Sequence, residues 1–563
     1  MARVSLSRLP GDRVLVVGAD ERRELDLADL AALVVERETD HPRWVWDDTA
    51  RWYPGLLEAG VRVERCHDLR LGHHLLRRAP AIDQDVLLGD QSELWDRLGP
   101  TTSVTPSLFP SDDPSEHLRA DLEDVRQLAA VADSAESSQL GLLLAAESSG
   151  ALVAAEMTFA GVPWRVDIHD RLLSDLLGPR PLRGMRPRRL EALADEVRTA
   201  LSSPDLNPDS RNELLAALRR VGVDVGDTRA STLRATNHPA MGVLLLYKHL
   251  AQLAKTNGWA WSDQWVSGGR FRPSYQPAGS VTGRWASNGG GALSLPAQVR
   301  PAAVADPGWR LVVADVAQLE PRALAGMSGD RALASAARGA DLYQAMADDG
   351  AVSGRAEAKL GMLGAMYGAT SGESGRLVAG LTKRYPHAFG LVEEAARAGE
   401  RGEVVRTLLG RGAPRLGETD DRDPDDPAVD PDSRARDRRA YGRFTRNFVV
   451  QGTGAEWALC WIADLRNRLW NLGGSGTLVD RPHLVFFLHD EVVVHTPAAL
   501  ADEVVAQLEQ AAATASALMF RDLAIDFPLS TAVVESYADA GKASTADDLG
   551  DVIPGEPGTP RAG

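Results

Sequence analysis

Apolar and polar positions divide this chain into distinct regimes. Residues 1 to about 80 set short apolar runs such as "RVLVVG" and "RWVWDD" between polar turns, which predicts a small α/β unit. From about 118 to 260 the pattern is helical. "RNELLAALRRVG" is amphipathic, and "HPAMGVLLLYKHLAQLAKTNGW" predicts a long helix starting near a proline. Strand-like, turn-rich sequence follows from about 268 to 316. It leads into "LVVADVAQLEPRALAGMSGD" (311–330), an apolar run that closes on the lone acid Asp315 with a helical stretch behind it. "HLVFFLHDEVVVHTP" (483–497) flanks His489, Asp490 and Glu491 with two apolar runs and predicts a hairpin with its acids at the bend. "GPTTSVTPSLFPSDDPSEH" reads as a linker, and "GETDDRDPDDPAVDPDSRARDRR" is too rich in acids and prolines to build a core. The last stretch, "TADDLGDVIPGEPGTPRAG", reads as a disordered tail.

Composition narrows the setting. A chain of 563 residues has room for three or four domain-sized units. Its 44% hydrophobic and 25% charged residues are ordinary for a soluble globular protein. No segment is expected to reach the length of a membrane span, and the N-terminus lacks the apolar core of a signal peptide. With only Cys66 and Cys460 there is no disulfide framework, which points to a reducing compartment. A net charge of -17 argues against a protein coated in nucleic acid, while leaving room for an enzyme with its basic residues in one cleft.

An acid at the end of a buried strand is commonly just a turn residue. Two such acids brought together gain a second meaning: they can hold two divalent metals for phosphoryl transfer, and magnesium suits a few carboxylates completed by phosphate and water. In "RAEAKLGMLGAMYG", Arg355, Lys359, Leu363 and Tyr367 recur every fourth residue and so line one helix face. That face is either a solvated surface with a basic pair or a binding surface for a triphosphate and a base. Gly361 and Gly364 cost about 1 kcal/mol each in a helix relative to Ala. They therefore predict close approach by another group, such as a nucleotide or a template strand.

In this order, the three stretches resemble motifs A, B and C of family A DNA polymerases, the bacterial DNA polymerase I type. "GRFRPSYQPAGSVTGRWAS", "GEVVRTLLGR" and "RFTRNFVVQGTGAEW" are similar to further segments of that family, so the resemblance spans about 200 to 540. It implies an α+β right-hand fold of palm, fingers and thumb behind a small α/β domain. The implied organisation is a degenerate 3′-5′ exonuclease-like domain at 1–150, thumb and connecting helices at 151–268, and a first palm segment at 269–335. Fingers at 336–440 with an acidic loop at 416–439, a second palm segment at 441–545, and a tail at 546–563 complete it.

The resemblance also implies roles. Asp315 and Asp490 bind two magnesium ions, with manganese as a substitute, assisted by the backbone of Val316. Glu491 lies beside them as a third catalytic acid. Arg355 and Lys359 take the triphosphate of a deoxynucleotide, Leu363 and Tyr367 lie near its sugar and the templating base, and Gln318 and Glu320 complete the pocket. Glu320 is the steric gate against a 2′-hydroxyl. Lys255, Arg284, Arg443, Asn447, Gln451 and His489 contact primer and template. The expected partners are primer–template DNA and deoxynucleoside triphosphates. The expected protein is monomeric, cytoplasmic and nucleoid-associated, makes no membrane contact, and acts in replication or repair.

Several positions depart from the family pattern. Motif A commonly reads Asp-Tyr-Ser-Gln-Ile-Glu-Leu-Arg, whereas here it is Asp315-Val316-Ala317-Gln318-Leu319-Glu320-Pro321-Arg322. Leu363 replaces an aromatic residue, and Tyr343 stands where a triphosphate-binding His is usual. "GGALSLPAQVR" lacks a Gln-Asn pair, and the fingers after Gly368 look shortened. In the N-terminal region Asp68 matches an exonuclease position. The first Asp-x-Glu signature is absent, however, and "VVERETDHP" is the nearest string. Pro54 stands where a second Asp is expected, and "VADSAESSQLGLLLAAESSG" offers no last signature. The domain is therefore expected not to proofread, with no 5′ nuclease domain before it. Two rivals are a non-catalytic protein that binds primer–template junctions and a single-subunit phage-type RNA polymerase. The retained acids, Lys359 and Tyr367 count against the first, and Glu320 and the chain length count against the second.

Overall fold

The computed structural model describes residues 2–101, 117–291, 295–368, 372–418, 431–521, 523 and 525–541. The tail expected from 546 and most of the expected linker lie outside the described residues.

The chain opens with a five-stranded mixed sheet in the order β3-β2-β1-β4-β5. β1 (Arg3–Leu9), β2 (Arg13–Val17) and β3 (Arg22–Asp26) form an antiparallel ladder. β4 (Arg43–Trp46) and β5 (Cys66–Asp68) extend the other edge in parallel. Parallel strands need crossovers, and helix α1 (Thr49–Glu58) supplies the one between β4 and β5 while α2 (Leu69–Arg78) follows β5. Leu6, Val14, Val16, Trp44 and Trp46 pack with Trp52, Tyr53 and Leu56 of α1 into one core.

Helix α3 (Ser137–Ala160) also enters that core, through Leu152. It overturns an expectation. With 24 residues and a hydropathy of 1.4 it is long and apolar enough to cross a membrane, yet 72% of that stretch is buried inside the protein. It is apolar because protein surrounds it, and it carries the buried acids Glu147 and Glu156.

A second compact unit comprises, among the described residues, 162–273, 289–291, 295–307 and 534–541. It is mainly helical around Leu173, Leu193, Leu214, Leu218, Leu244 and Tyr247. Its helix α4 (Ala240–Asn257) is the long helix expected near a proline, with Pro239 at its N-cap.

The remainder of the first unit is built on a four-stranded sheet. β6 (Trp309–Val316) is followed by helices α5 (Leu319–Ser328), α6 (Leu342–Asp348), α7 (Arg355–Tyr367) and α8 (Gly372–Arg384). The 42-residue α9 (Pro431–Leu472) comes next, then β7 (His483–Leu488), β8 (Glu491–Pro497), α10 (Ala501–Phe520) and β9 (Leu529–Val534). The sheet order is β7-β8-β6-β9. The continuous apolar runs of β6 and β8 follow from helices covering the sheet: α10 packs against both strands, and α3 packs against β7.

α9 shortens the acidic loop expected over 416–439, because the helix already begins at Pro431. Proline fits a first helical turn, and the closely spaced acids and arginines of "DSRARDRR" can pair three or four residues apart. Residues 419–430 lie outside the described residues.

Candidate active site

β6 and β8 run antiparallel in a register that sets Asp315 directly opposite Glu491. Directly opposed residues project from the same face of a sheet. The bend between β7 and β8 is tight: His489 takes the left-handed backbone conformation at φ 57°, and the Asp490 N–H donates to the Leu488 carbonyl at 2.6 Å. The Val316 N–H then donates to the Asp490 carbonyl at 2.9 Å, so the two aspartates expected from sequence meet at one end of the sheet. Asp315 and Asp490 are half-buried, whereas Glu491 is buried. Among the described residues no group of three or more His, Cys, Asp or Glu side chains forms a metal cage. The donor set here is a pair of half-buried carboxylates, which fits a hard cation whose other ligands come from substrate and water.

The next residues turn the chain sharply. Gln318 is also left-handed, at φ 57°, and serves as N-cap of α5. Its side-chain amide donates to Asp341 at 3.0 Å, and its oxygen accepts from the Leu342 N–H at 3.0 Å and from Arg322 at 3.1 Å. Gln318 thus ties the strand tip to the start of α6.

Arg322 is a residue whose role sequence reasoning missed. Its guanidinium is fully buried and donates to the carbonyls of Ala317, Ala337, Asp526, Gly339 and Ala340 at 2.7–3.1 Å. Burial pushes its pKa down to about 10, still well above neutrality. The signal was there, an arginine inside the apolar stretch "PRALAG", but its carbonyl partners could not be read from the sequence.

Glu320 lies in the first turn of α5, between two groups. Arg284 forms an ion pair with one carboxylate oxygen, and the Tyr367 hydroxyl donates to the other at 3.2 Å. Burial, and then the nearby Arg284, push the His489 imidazole down to about 4, so it is neutral at physiological pH. Arg284 and His489 line the same small pocket with Trp285 and Phe487, whose rings meet edge to face at 4.9 Å.

On α7, Arg355, Lys359 and Tyr367 are exposed and Leu363 is half-buried, while Ala358, Met362, Ala365 and Met366 are buried. The fourfold spacing therefore marks the open face. The helix is tied down at both ends. Tyr367 reaches Glu320, and Arg355 pairs at 2.6 Å with Asp341, which itself holds Gln318. Gly361 has a different reason from the one expected. A Cβ there would come within 2.6 Å of the Leu381 side chain, so the glycine admits helix α8 and not a nucleotide.

Arg443, Asn447 and Gln451 fall four apart on one face of α9; Arg443 is exposed and the others half-buried. The Asn447 side-chain oxygen is buried and has no hydrogen-bond partner among the described residues. A Cβ on Gly368, which ends α7, would lie 3.3 Å from the Arg443 side chain, so the two helices meet there. At Gly454 of α9 a Cβ would lie 3.6 Å from the Leu319 side chain and 3.9 Å from that of Glu320. Lys255 lies in the last turn of α4, in the second unit.

The N-terminal sheet presents Asp47 and Asp48 just after β4, beside Asp68 at the end of β5. Sequence reasoning singled out only Asp68. All three are buried and engaged with protein groups. Asp47 pairs with Arg51 at 2.9 Å and Asp48 with Arg70 at 3.2 Å. Asp68 caps α2, accepting from the Leu71 and Thr49 N–H groups at 3.0 and 2.7 Å. Burial and the neighbouring Asp48 raise the Asp68 carboxyl to about 7. Pro54 sits inside α1 with an exposed side chain.

Two aspartates thus meet at one end of a four-stranded sheet, and a helix with a basic open face is tied to the residues that follow the first of them. The chain belongs to DNA polymerase family A, whose model matches residues 188–538. It is 30% identical over 289 residues to DNA polymerase I of Chloroflexus aurantiacus, covering 46% of this chain and 28% of that protein. It is 27% identical over 406 residues to the thermostable DNA polymerase I of Thermus filiformis, covering 62% of this chain and 45% of the relative. The chain thus spans less than half the length of these relatives. Among solved structures, the POL domain of Pol1 from M. smegmatis, in complex with DNA primer–template and dNTP, superposes with a TM-score of 0.69 at 20% identity. That match covers 96% of this chain and 95% of the other, and it establishes the right-hand polymerase fold.

Proposed function

We propose that this chain synthesises DNA on a template, adding deoxynucleotides to a primer 3′-hydroxyl. The observation that carries the proposal is the meeting of Asp315 and Asp490 at one sheet end, with α7 tied at both its ends to Asp341 and Glu320. The reaction joins the primer 3′-oxygen to the α-phosphorus and breaks the bond to the β-phosphate. Pyrophosphate leaves, and the hydroxyl proton passes to solvent. Magnesium held by Asp315 and Asp490, with the Val316 carbonyl, would lower the hydroxyl pKa and offset charge on the phosphates. Arg355 and Lys359 bind the triphosphate and orient it. Arg284 and Arg443 meet backbone phosphates, as Lys255 does on the second unit, while Asn447, Gln451 and His489 reach base edges near the primer end. In this reading the partners are primer–template DNA and deoxynucleoside triphosphates. The protein works as a monomer in the cytoplasm, associated with the nucleoid and away from membranes, in replication or repair. Primer extension with each nucleotide type tests it. Tight junction binding with no extension would favour the non-catalytic rival.

Glu320, fixed between Arg284 and Tyr367, is the proposed gate against a ribose hydroxyl. Glu320→Ala should raise ribonucleotide use relative to deoxynucleotide use by about ten- to a hundredfold, the scale on which a site discriminates one hydroxyl. Competition between the two nucleotides on one template measures the ratio, and an unchanged ratio removes Glu320 from that role.

The N-terminal domain is proposed not to proofread, because Arg51, Arg70 and backbone N–H groups already engage its three acids. A mismatched, labelled primer should stay intact with magnesium or manganese and no nucleotides. Steady trimming that persists in an Asp315→Ala, Asp490→Ala chain would show an active nuclease there.

A further inference from the structure

We infer that Asp341 is a positioning residue that holds Arg355 in register with the strand carrying Asp315. The inference rests on the nucleotide-binding reading above.

The two oxygens of Asp341 do separate work. Oδ1 accepts from the Tyr343 and Gln344 N–H groups at 3.0 and 3.1 Å and from the Gln318 amide at 3.0 Å. These bonds fix the carboxylate to the first turn of α6 and to the residue three places after Asp315. Oδ2 takes a single bond, at 2.6 Å, from Nε of Arg355.

That choice of nitrogen is informative. A guanidinium grips a phosphate best through two parallel N–H groups. Held by Nε alone, Arg355 keeps both terminal nitrogens without a partner among the described residues. Its guanidinium carbon lies 5.8 Å from the Tyr343 ring centre, so an aromatic face limits its remaining freedom. This gives Tyr343 a function different from that of the residue usual at its position: it steadies the arginine. A long side chain ordered before the ligand arrives loses less freedom on binding. The chain of contacts Asp315 strand, Gln318, Asp341, Arg355 therefore sets where a triphosphate sits relative to the metal-site acids.

Asp341→Asn tests this, because Asn caps a helix as well as Asp does and removes only the charge. KM and kcat for a deoxynucleoside triphosphate are measured for the wild type, Asp341→Asn, Arg355→Ala and the double variant. Equilibrium binding of the same nucleotide, with magnesium and a dideoxy-terminated primer–template, is measured alongside. Asp341→Asn should raise KM about two- to fivefold, the range of a partly exposed ion pair, with kcat within about twofold. In the Arg355→Ala background the same change should have no further effect, because its action passes through Arg355. Equal effects in both backgrounds, or tighter nucleotide binding in Asp341→Asn, overturn the positioning role and leave the polymerase reading standing. A wild-type chain that binds no nucleoside triphosphate overturns both.

Discussion

A chain carrying Asp315→Ala is expected to hold primer–template DNA as the wild type does and to add no nucleotide, and Asp490→Ala should behave alike. The two acids meet across the Val316–Asp490 backbone bond, so in the proposed reading each variant leaves half of a divalent-cation site. Removing one group that stabilises developing charge costs about 10²–10³ in rate elsewhere, and loss of a metal ligand should exceed that. Neither aspartate is a core residue, so folding should survive. Single-turnover extension beside a DNA-binding titration separates the two effects. A variant that extends within about tenfold of the wild type would remove that aspartate from the metal site.

The second large effect is on stability. Arg466, deep in α9, is fully buried and donates to both oxygens of Glu156 on α3, at 2.6 and 2.8 Å. It also reaches the Tyr53 hydroxyl at 3.1 Å and the Glu64 carbonyl at 2.7 Å. This cluster fastens α1, α3 and the segment before β5 to α9. Burial alone would raise the Glu156 carboxyl; Arg466 and Arg62 outweigh it and hold it below its ordinary range. The stabilisation is therefore present above the usual carboxylate pKa and fades as pH falls through the lowered one. Arg466→Met leaves a buried carboxylate without its main counter-charge and should cost about 3–5 kcal/mol. Urea unfolding at neutral pH measures it, and adding Glu156→Gln should recover part of the loss. A single variant within about 1 kcal/mol of the wild type would show that the cluster contributes little.

What could be read from the sequence was whatever lies along one element. The continuous apolar runs of β6, β7 and β8 bounded by turn residues, the acids at their tips and the open face of α7, with its period of nearly four residues, were all legible along the chain. What depends on distant partners could not be read. Nothing near Arg322 in the chain announces five backbone carbonyls, and Glu156 and Arg466 lie far apart in sequence. Gly361 signalled a close approach correctly, but the neighbour was Leu381 and not a substrate. Asp47 and Asp48 drew no notice in "RWVWDD", read only as a short apolar run, and the pairing of β4 with β5 is what brings them beside Asp68. α3 was misjudged because a helix buried in protein and one buried in lipid share the same apolar composition.

The register of β6 against β8 also sets when the site can exist. The strand bearing Asp315 leaves the ribosome long before the hairpin bearing Asp490, with the whole of α5 to α9 made in between. At about 5–20 residues per second, that gap lasts roughly ten to thirty-five seconds. During it the apolar edge of β6 has no partner on the side that β8 will occupy, and closing so long a loop is intrinsically slow. A nascent chain cut short within α9 would therefore carry a complete N-terminal sheet and an exposed β6, the kind of unpaired strand on which chaperones and aggregation compete.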